Sequence, residues 1–400
     1  MSTRHTAAES EAVPINIMVK PAGSRCNLNC NYCYFLGKKA LLSPCGREQM
    51  SLPMLECFIS QYLRQPHGRT VTFYWQGGEP TLSKLDFYQQ AVTLQQKYRP
   101  AGVTIANHFQ TNGVLLDERW CRFLHQHRFL VGLSIDGPRS LHDIYRRNRA
   151  GQGSFDAAMR AVELLRRYQV EFTTLTAVNN RNAARPNEVY RFLRDEIRSP
   201  LMQFIPVVEP VGFNTCAPAE GIAGKPQVEP WSVSGDAWGN FLCALFDNWY
   251  QHDLGRVFVH YFEAALQIWL GYPSPMCTLA PRCGTNLALN YDGSLYSCDH
   301  YVYPRHLLGN IQRSALARLA QSPSQLRFGR DKTDALGLRC RQCSYRFACH
   351  GDCPKNRLLQ DKDGAAISYL CSGWLRFWRH IDPYLHQIAA RLGRQVPARG

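Results

Sequence analysis

The sequence predicts an α/β protein, a partial (β/α)6 barrel of the TIM type followed by a cysteine-rich C-terminal domain. Two observations predict it. From residue 13 to about 210, runs rich in β-branched and aromatic residues alternate with amphipathic helical segments. From Cys277 onward the composition turns to cysteine, glycine and short hairpin-like runs.

Strands are expected at 13–20, 69–75, 103–110, 129–135, 171–178 and 202–207, and helices between them at 52–63, 85–98, 117–127, 155–168 and 188–197. Ser154 and Asn187 stand where helix caps would be. Six β/α units in succession imply a parallel sheet with right-handed crossovers. A closed barrel needs eight, so this one is open along one side. The Pro- and Gly-rich stretch 208–230 is expected to be a long loop or linker, with helices at 236–249 and 258–270 and a helix end with a basic tail at 385–400. The expected division is therefore a barrel core over 13–235, a helical linker over 236–276 and a cysteine-rich domain over 277–385.

Four hundred residues with 45% hydrophobic content can bury a large core. There is no uninterrupted apolar run long enough to span a bilayer. The first fourteen residues lack the apolar centre of a signal peptide, which predicts a cytoplasmic protein. Sixteen cysteines in a reducing compartment point to metal or redox chemistry rather than disulfides. The net charge of +15 raises the question of nucleic acid. Yet Arg64, Arg119, Arg166, Arg194 and Arg376 are scattered and not interleaved with aromatics, so solvated basic faces are expected, with neither nucleic acid nor membrane as partner.

Every distinctive turn follows a strand. Cys26-x3-Cys30-x2-Cys33 follows the first and Gly77-Gly78-Glu79-Pro80 the second. Gln110-Thr111-Asn112-Gly113 closes the third, and Ser134-Ile135-Asp136-Gly137 the fourth. In parallel sheets the carboxyl ends of the strands form the rim where ligands bind. Three thiols without a fourth can hold three irons of a [4Fe–4S] cluster and leave one iron open, although the spacing alone also allows zinc or chance. A lone Gly-Gly-Glu-Pro is usually a plain turn; here its glycines permit a close backbone approach. Cys277, Cys283 and Cys298, then Cys340, Cys343, Cys349, Cys353 and Cys371, make eight further thiols, enough for two four-cysteine clusters or two zinc sites. Cys45, Cys57, Cys121, Cys216 and Cys243 receive no role; Cys57 and Cys121 fall in helical patterns as small core residues.

With Tyr32, Tyr34 and Phe35 around its last thiol, and Gly-Gly-Glu-Pro downstream, the cysteine loop resembles that of the radical S-adenosylmethionine (SAM) superfamily. The later cysteines resemble the SPASM auxiliary-cluster domain. Lys20-Pro21-x2-Ser24-x-Cys26-Asn27-Leu28, Trp75 to Leu82, Gln203-Phe204-Ile205-Pro206 and Cys298-Asp299-His300-x2-Tyr303-Pro304 narrow the likeness to anaerobic sulfatase-maturating enzymes, over nearly the whole chain. That resemblance implies three [4Fe–4S] clusters and S-adenosylmethionine as cofactors. Cys26, Cys30 and Cys33 would hold the first cluster. Cys277, Cys283, Cys298 and Cys353 would hold the second, and Cys340, Cys343, Cys349 and Cys371 the third.

It also implies that Tyr32 lies against the adenine and that Gly77, Gly78 and Glu79 receive the methionine ammonium. Ser134 and Asp136 would meet the ribose, Arg146 the methionine carboxylate, and Val208 the adenine through its main chain. The plain alternatives are a core tyrosine for Tyr32, an exposed helix arginine for Arg146 and a hairpin aspartate facing water for Asp299. Many relatives carry a tyrosine two residues after the loop's last cysteine; this chain has Phe35 there, and no catalytic part is expected of it.

The implied reaction oxidises a cysteine or serine of a nascent sulfatase, within a Cys/Ser-x-Pro/Ala-x-Arg segment, to Cα-formylglycine. A deoxyadenosyl radical takes the Cβ hydrogen, Asp299 takes the thiol or hydroxyl proton, and the second electron leaves through the auxiliary clusters. A flavodoxin or ferredoxin would supply reducing electrons. The competing reading is a maturase that crosslinks a ribosomally made peptide. Such enzymes often carry an N-terminal leader-binding domain, for which the residues before Cys26 are too few. A non-catalytic zinc or cluster protein would leave the Gly-Gly-Glu-Pro turn unexplained.

Overall fold

The computed structural model describes residues 15–42, 49–66, 68–214, 217, 227–394 and 396. Cys45 and Cys216 lie outside them. Six parallel strands appear in sequence order: β1 (Asn16–Lys20), β2 (Thr70–Trp75), β3 (Thr104–Thr111), β4 (Phe129–Ser134), β5 (Phe172–Val178) and β6 (Leu201–Pro206). Each expected strand is present, within about three residues at its ends.

Alternation explains how the sheet is used. In β2, Val71, Phe73 and Trp75 are buried, while Thr72 and Tyr74 look the other way and are half-buried. The buried set meets the helix Leu52–Tyr62: Phe73 lies edge-on to Phe58 and Tyr62, at 5.8 and 5.2 Å. The opposite face carries Tyr74, His108, Gln110 and Ser134, so helices cover one side and a polar interior faces the other. Gly132 makes room there, since a Cβ on it would lie 2.2 Å from Gln110 Oε1.

The sheet does not stop at six strands. Phe258–Val259 (β7) pairs parallel with β6. On the other edge Asn286–Asn290 (β8) pairs parallel with β1, from Asn16 opposite Asn286 to Lys20 opposite Asn290. Ser294–Tyr296 (β9) and Leu307–Asn310 (β10) continue it antiparallel. The hairpin material expected after Cys277 thus extends the barrel sheet itself.

Elsewhere the structure corrects the expectations. The helix expected at 188–197 begins at Pro186, a residue suited to a first turn, and its second half, Phe192–Glu196, is a π-helix. Asn187 is therefore inside the helix rather than its cap. Ser154 does stand at the N-cap of the helix Phe155–Arg167, but its hydroxyl makes no capping bond and donates to the Arg146 carbonyl at 2.9 Å. The cysteine-rich region also has a substantial core. Its last helix, Cys371–Arg391, buries Trp374, Phe377, Trp378 and Leu385 and packs on the helix Gly235–Asn248, with Trp374 against Trp238 and Phe377 against Phe246, while Trp378 meets Trp269. Glycines permit that approach: a Cβ on Gly373 would lie 2.0 Å from the Gly235 carbonyl oxygen. Among the described residues no helix is long and apolar enough to cross a membrane.

Candidate active site

The cysteine loop leaves the top of β1 and is held by backbone bonds on two sides. Gly78 and Glu79 donate their amides to the carbonyls of Gly23 and Arg25, at 2.9 and 2.8 Å. A Cβ on Gly78 would lie 1.9 Å from the Arg25 oxygen, so only glycine lets the turn close on the loop. On the far side, Asn29 and Asn31 donate to the carbonyls of Arg147 and Tyr145. The Glu79 carboxylate is turned inward. It accepts from the Thr81 amide and hydroxyl, the Thr111 hydroxyl and the Asn112 amide, at 2.7–3.1 Å. Burial pushes its carboxyl up, only partly offset by these bonds. It braces the second and third turns against each other, and what the turn offers outward is backbone.

Tyr32, Asp136 and Arg146 meet beside the loop. The Tyr32 hydroxyl donates to Asp136 Oδ2, and Arg146 Nε lies 3.0 Å from the same oxygen. The guanidinium also stands 5.6 Å from the Tyr32 ring centre. Arg146 is 7% exposed, whereas Arg147 and Arg149 are at the surface, which removes the exposed-helix alternative. Its five N–H donors exceed what one carboxylate can accept, so the pair leaves room for a second anion. Ser134 accepts from Gln110 Nε2 at 3.0 Å. Val208 is buried, and its carbonyl accepts from Lys355 Nζ at 2.7 Å.

The thiols fall into three groups of electrostatic neighbours. Cys26, Cys30 and Cys33 influence one another. Cys298 and Cys353 each feel Cys277, and Cys353 also feels Cys283. Cys371 feels Cys340 and Cys343, and Cys349 feels Cys371. The last four all line one cavity of about 380 Å³. Among the described residues, no three His, Cys, Asp or Glu side chains are set to hold a single metal ion. Burial pushes Cys26, Cys30 and Cys353 up to about 12, and Cys283 up to about 11. Thiols so disposed hold their protons in apolar surroundings unless a strongly positive core displaces them, as iron does. Three grouped thiols at the rim and two groups of four further along fit iron–sulfur clusters.

Asp299 joins the two regions. It follows Cys298 directly, yet its Oδ2 accepts from the hydroxyl of Tyr34, the residue after Cys33, at 2.5 Å. Its Oδ1 pairs with the ammonium of Lys20. Burial pushes the carboxyl up, but Lys20, His300 and the Tyr34 bond outweigh it and hold the group at about 2. Asp299 is therefore an engaged anion, not a water-facing hairpin residue. The hydroxyl not expected at Phe35 comes from Tyr34, while the buried Phe35 ring lies 4.1 Å under Lys20 Nζ.

Sequence reasoning passed over Lys20, Lys38 and Lys355. Lys38 is fully buried with its ammonium 4.1 Å from the Tyr303 ring centre, and burial pushes it down to about 7. Lys355 ties Glu209 to the Val208 carbonyl, both contacts at 2.7 Å. Lys20 had a signal, as the charged end of an apolar strand directly before the cysteine loop. The other two had none. Of the unassigned cysteines, Cys121 is buried and Cys57 and Cys243 are half-buried.

The sequence pattern of the Radical SAM superfamily matches residues 21–193, and that of an iron–sulfur cluster-binding domain matches 277–344. A serine-type anaerobic sulfatase-maturating enzyme of Bacteroides thetaiotaomicron is 40% identical over 97% of this chain and 94% of its own length. A cysteine-type enzyme of Clostridium perfringens is 32% identical over 94% of this chain and 98% of its own. The solved structure of native anSMEcpe with bound AdoMet and Cp18Cys peptide superposes with a TM-score of 0.83 at 32% identity, covering 95% of this chain and 99% of that one. SuiB of Streptococcus suis, solved bound to its precursor peptide, shares the fold at 13% identity and a TM-score of 0.61.

Proposed function

This chain belongs to the family of anaerobic sulfatase-maturating enzymes, and on that premise we propose that it oxidises a serine or cysteine of a sulfatase polypeptide to Cα-formylglycine, with the site residues in the following roles. Cys26, Cys30 and Cys33 hold an open [4Fe–4S] cluster. Cys277, Cys283, Cys298 and Cys353 hold a second, and Cys340, Cys343, Cys349 and Cys371 a third. When bound, these groups and S-adenosylmethionine supply a 5′-deoxyadenosyl radical for the Cβ hydrogen and an outlet for the second electron.

The chain's own residues bind and orient. Backbone of Gly77 and Gly78, braced by Glu79, receives the methionine ammonium. Arg146, paired to Asp136 through Nε, turns its guanidinium to the methionine carboxylate, Asp136 and Ser134 meet the ribose, and Tyr32 with the Val208 backbone borders the adenine. Asp299 accepts the proton from the substrate hydroxyl or thiol. The observation that carries this reading is the place of Asp299, one residue from Cys298 and hydrogen-bonded to the residue after Cys33. A carboxylate held there can reach a peptide side chain lying between the two thiol regions.

The functional units are residues 13–235, 236–276 and 277–385, with the third contributing strands to the sheet of the first. The serine-type relatives, at 37–40% identity against 30–32% for the cysteine-type, support a serine substrate. A Cys/Ser-x-Pro/Ala-x-Arg peptide as substrate, a flavodoxin or ferredoxin as reductant and the cytoplasm as setting complete the proposal. The test is incubation of the anaerobically reconstituted enzyme with S-adenosylmethionine and paired serine and cysteine peptides. Aldehyde in the serine peptide supports the reading; deoxyadenosine without aldehyde in either peptide overturns it, and a crosslinked product would favour a peptide maturase.

A further inference from the structure

Lys20 sits where three parts of the site cross. It is the last residue of β1, opposite Asn290 of β8, and only 1% exposed. Its stem passes Gly77, whose φ is +130° and where an added Cβ would lie 3.0 Å from Lys20 Cβ. Its ammonium rests on the Phe35 ring and pairs with Asp299 Oδ1, while Tyr34 takes the other oxygen. One side chain therefore touches the Gly-Gly-Glu-Pro turn, the aromatic flank of the cysteine loop and the acid borne by the C-terminal segment. Stability alone is a weak reason for such a pair, because apolar replacement of a buried ion pair is often neutral or stabilising. Fixing a geometry is a better one.

We infer that Lys20 is a positioning residue that clamps the Asp299 carboxylate between the barrel and the cysteine-rich segment, coupling hydrogen abstraction to completed oxidation. The inference rests on the function proposed above. Lys20 acts through the carboxylate rather than on cofactor or substrate. It holds one carboxylate oxygen, as Tyr34 holds the other, so the acid meets the substrate proton in a single orientation. With Lys20 absent, the carboxylate rotates away, and radicals formed on the peptide are quenched rather than oxidised.

The measurement is formylglycine formed per 5′-deoxyadenosine, by mass spectrometry, with iron content determined on the same preparations. Lys20→Met should keep deoxyadenosine formation within about threefold of the parent and lower the ratio at least tenfold. Lys20→Arg, which keeps the charge, should recover much of it. Adding Lys20→Met to Asp299→Asn should lower the ratio no further, because the lysine acts through the acid, and removing both charges together also guards against misfolding from one unpaired ion. An unchanged ratio in Lys20→Met, an additive loss in the double variant, or loss of iron in Lys20→Met and Lys20→Arg alike would overturn the inference. A parent that makes deoxyadenosine but no aldehyde would overturn the functional reading, and the clamp with it.

Discussion

The thiol regions at the two ends of the chain differ in what surrounds them. The loop after β1 places three thiols at a polar rim, where Tyr32, Asp136 and Arg146 share the neighbouring space. The C-terminal segment gathers eight in two fours, one of them around a cavity walled by Trp374 and Trp378 together with Arg339, Arg346 and Arg379. A missing thiol beside unsaturated polar groups makes a place for a reactant. A full set of four leaves no such place, which suits the relay proposed above. The chemistry of the two regions is set less by cysteine itself than by count and company.

The largest expected effect tests that contrast directly. Replacing Cys26, Cys30 and Cys33 by alanine should remove about four of about twelve irons and abolish deoxyadenosine formation. Replacing Cys298 and Cys353 should remove a similar number yet leave deoxyadenosine formation measurable while aldehyde falls. Full iron in the first variant, or stoichiometric zinc in the C-terminal region, would break the comparison. Next in size, Asp299→Asn should lower formylglycine yield by about 10² to 10⁴, the usual cost of losing a positioned base. Normal yield by peptide mass spectrometry would remove Asp299 from the chemistry.

A third comparison sets buried Arg146 against its exposed neighbour. Arg146→Ala should weaken S-adenosylmethionine binding by about 1.5–3 kcal/mol, the scale of charged hydrogen bonds, with Arg147→Ala as the unaffected control in equilibrium binding. Equal affinities would return Arg146 to the role of Asp136's partner alone. The smallest effect contrasts two of the buried lysines, Lys20 and Lys38. Lys20 has a carboxylate partner, whereas burial holds Lys38 at about 7 despite Asp299 and Glu209 nearby. Between pH 7 and its ordinary range near 10.5, the unfolded lysine carries a proton that the native one has lost. Stability should therefore rise with pH in that window, by at most about 1.4 kcal/mol per pH unit, and below pH 7 the slope should vanish, with the full cost of the buried charge in place. Melting curves of Lys38→Met should lack that component of the slope; identical slopes would refute it.

Much of the barrel was legible because its strands are dense in β-branched and aromatic residues and end at turn residues, as in Thr70–Trp75 before Gln76-Gly77-Gly78. The site's thiols and turns were legible from spacing. What escaped depends on distant partners. Nothing local in Asn286–Asn290 tells that it will lie beside Asn16–Lys20. Most of the helix Cys371–Arg391 was hidden behind Pro383 and a cysteine with another expected duty. The inward turn of Lys20, Lys38 and Lys355 is likewise a tertiary fact, since a lysine in sequence predicts solvent. Tyr34 shows the same limit on a smaller scale: the hydroxyl sits one residue earlier in the chain than the familiar pattern, and only the fold reveals that it reaches the acid.

The pairing of β1 with β8 has a consequence for how the molecule is made. β1 waits for a neighbour some 270 residues later, so a non-local loop must close before its second edge is covered. Until then that edge presents unpaired amides and carbonyls beside the cysteine loop. Such a topology favours slow, late completion over rapid local assembly. The cysteine loop would thus emerge well before its sheet is whole, and truncations ending short of residue 286 should leave β1 readily exchanging its amide hydrogens.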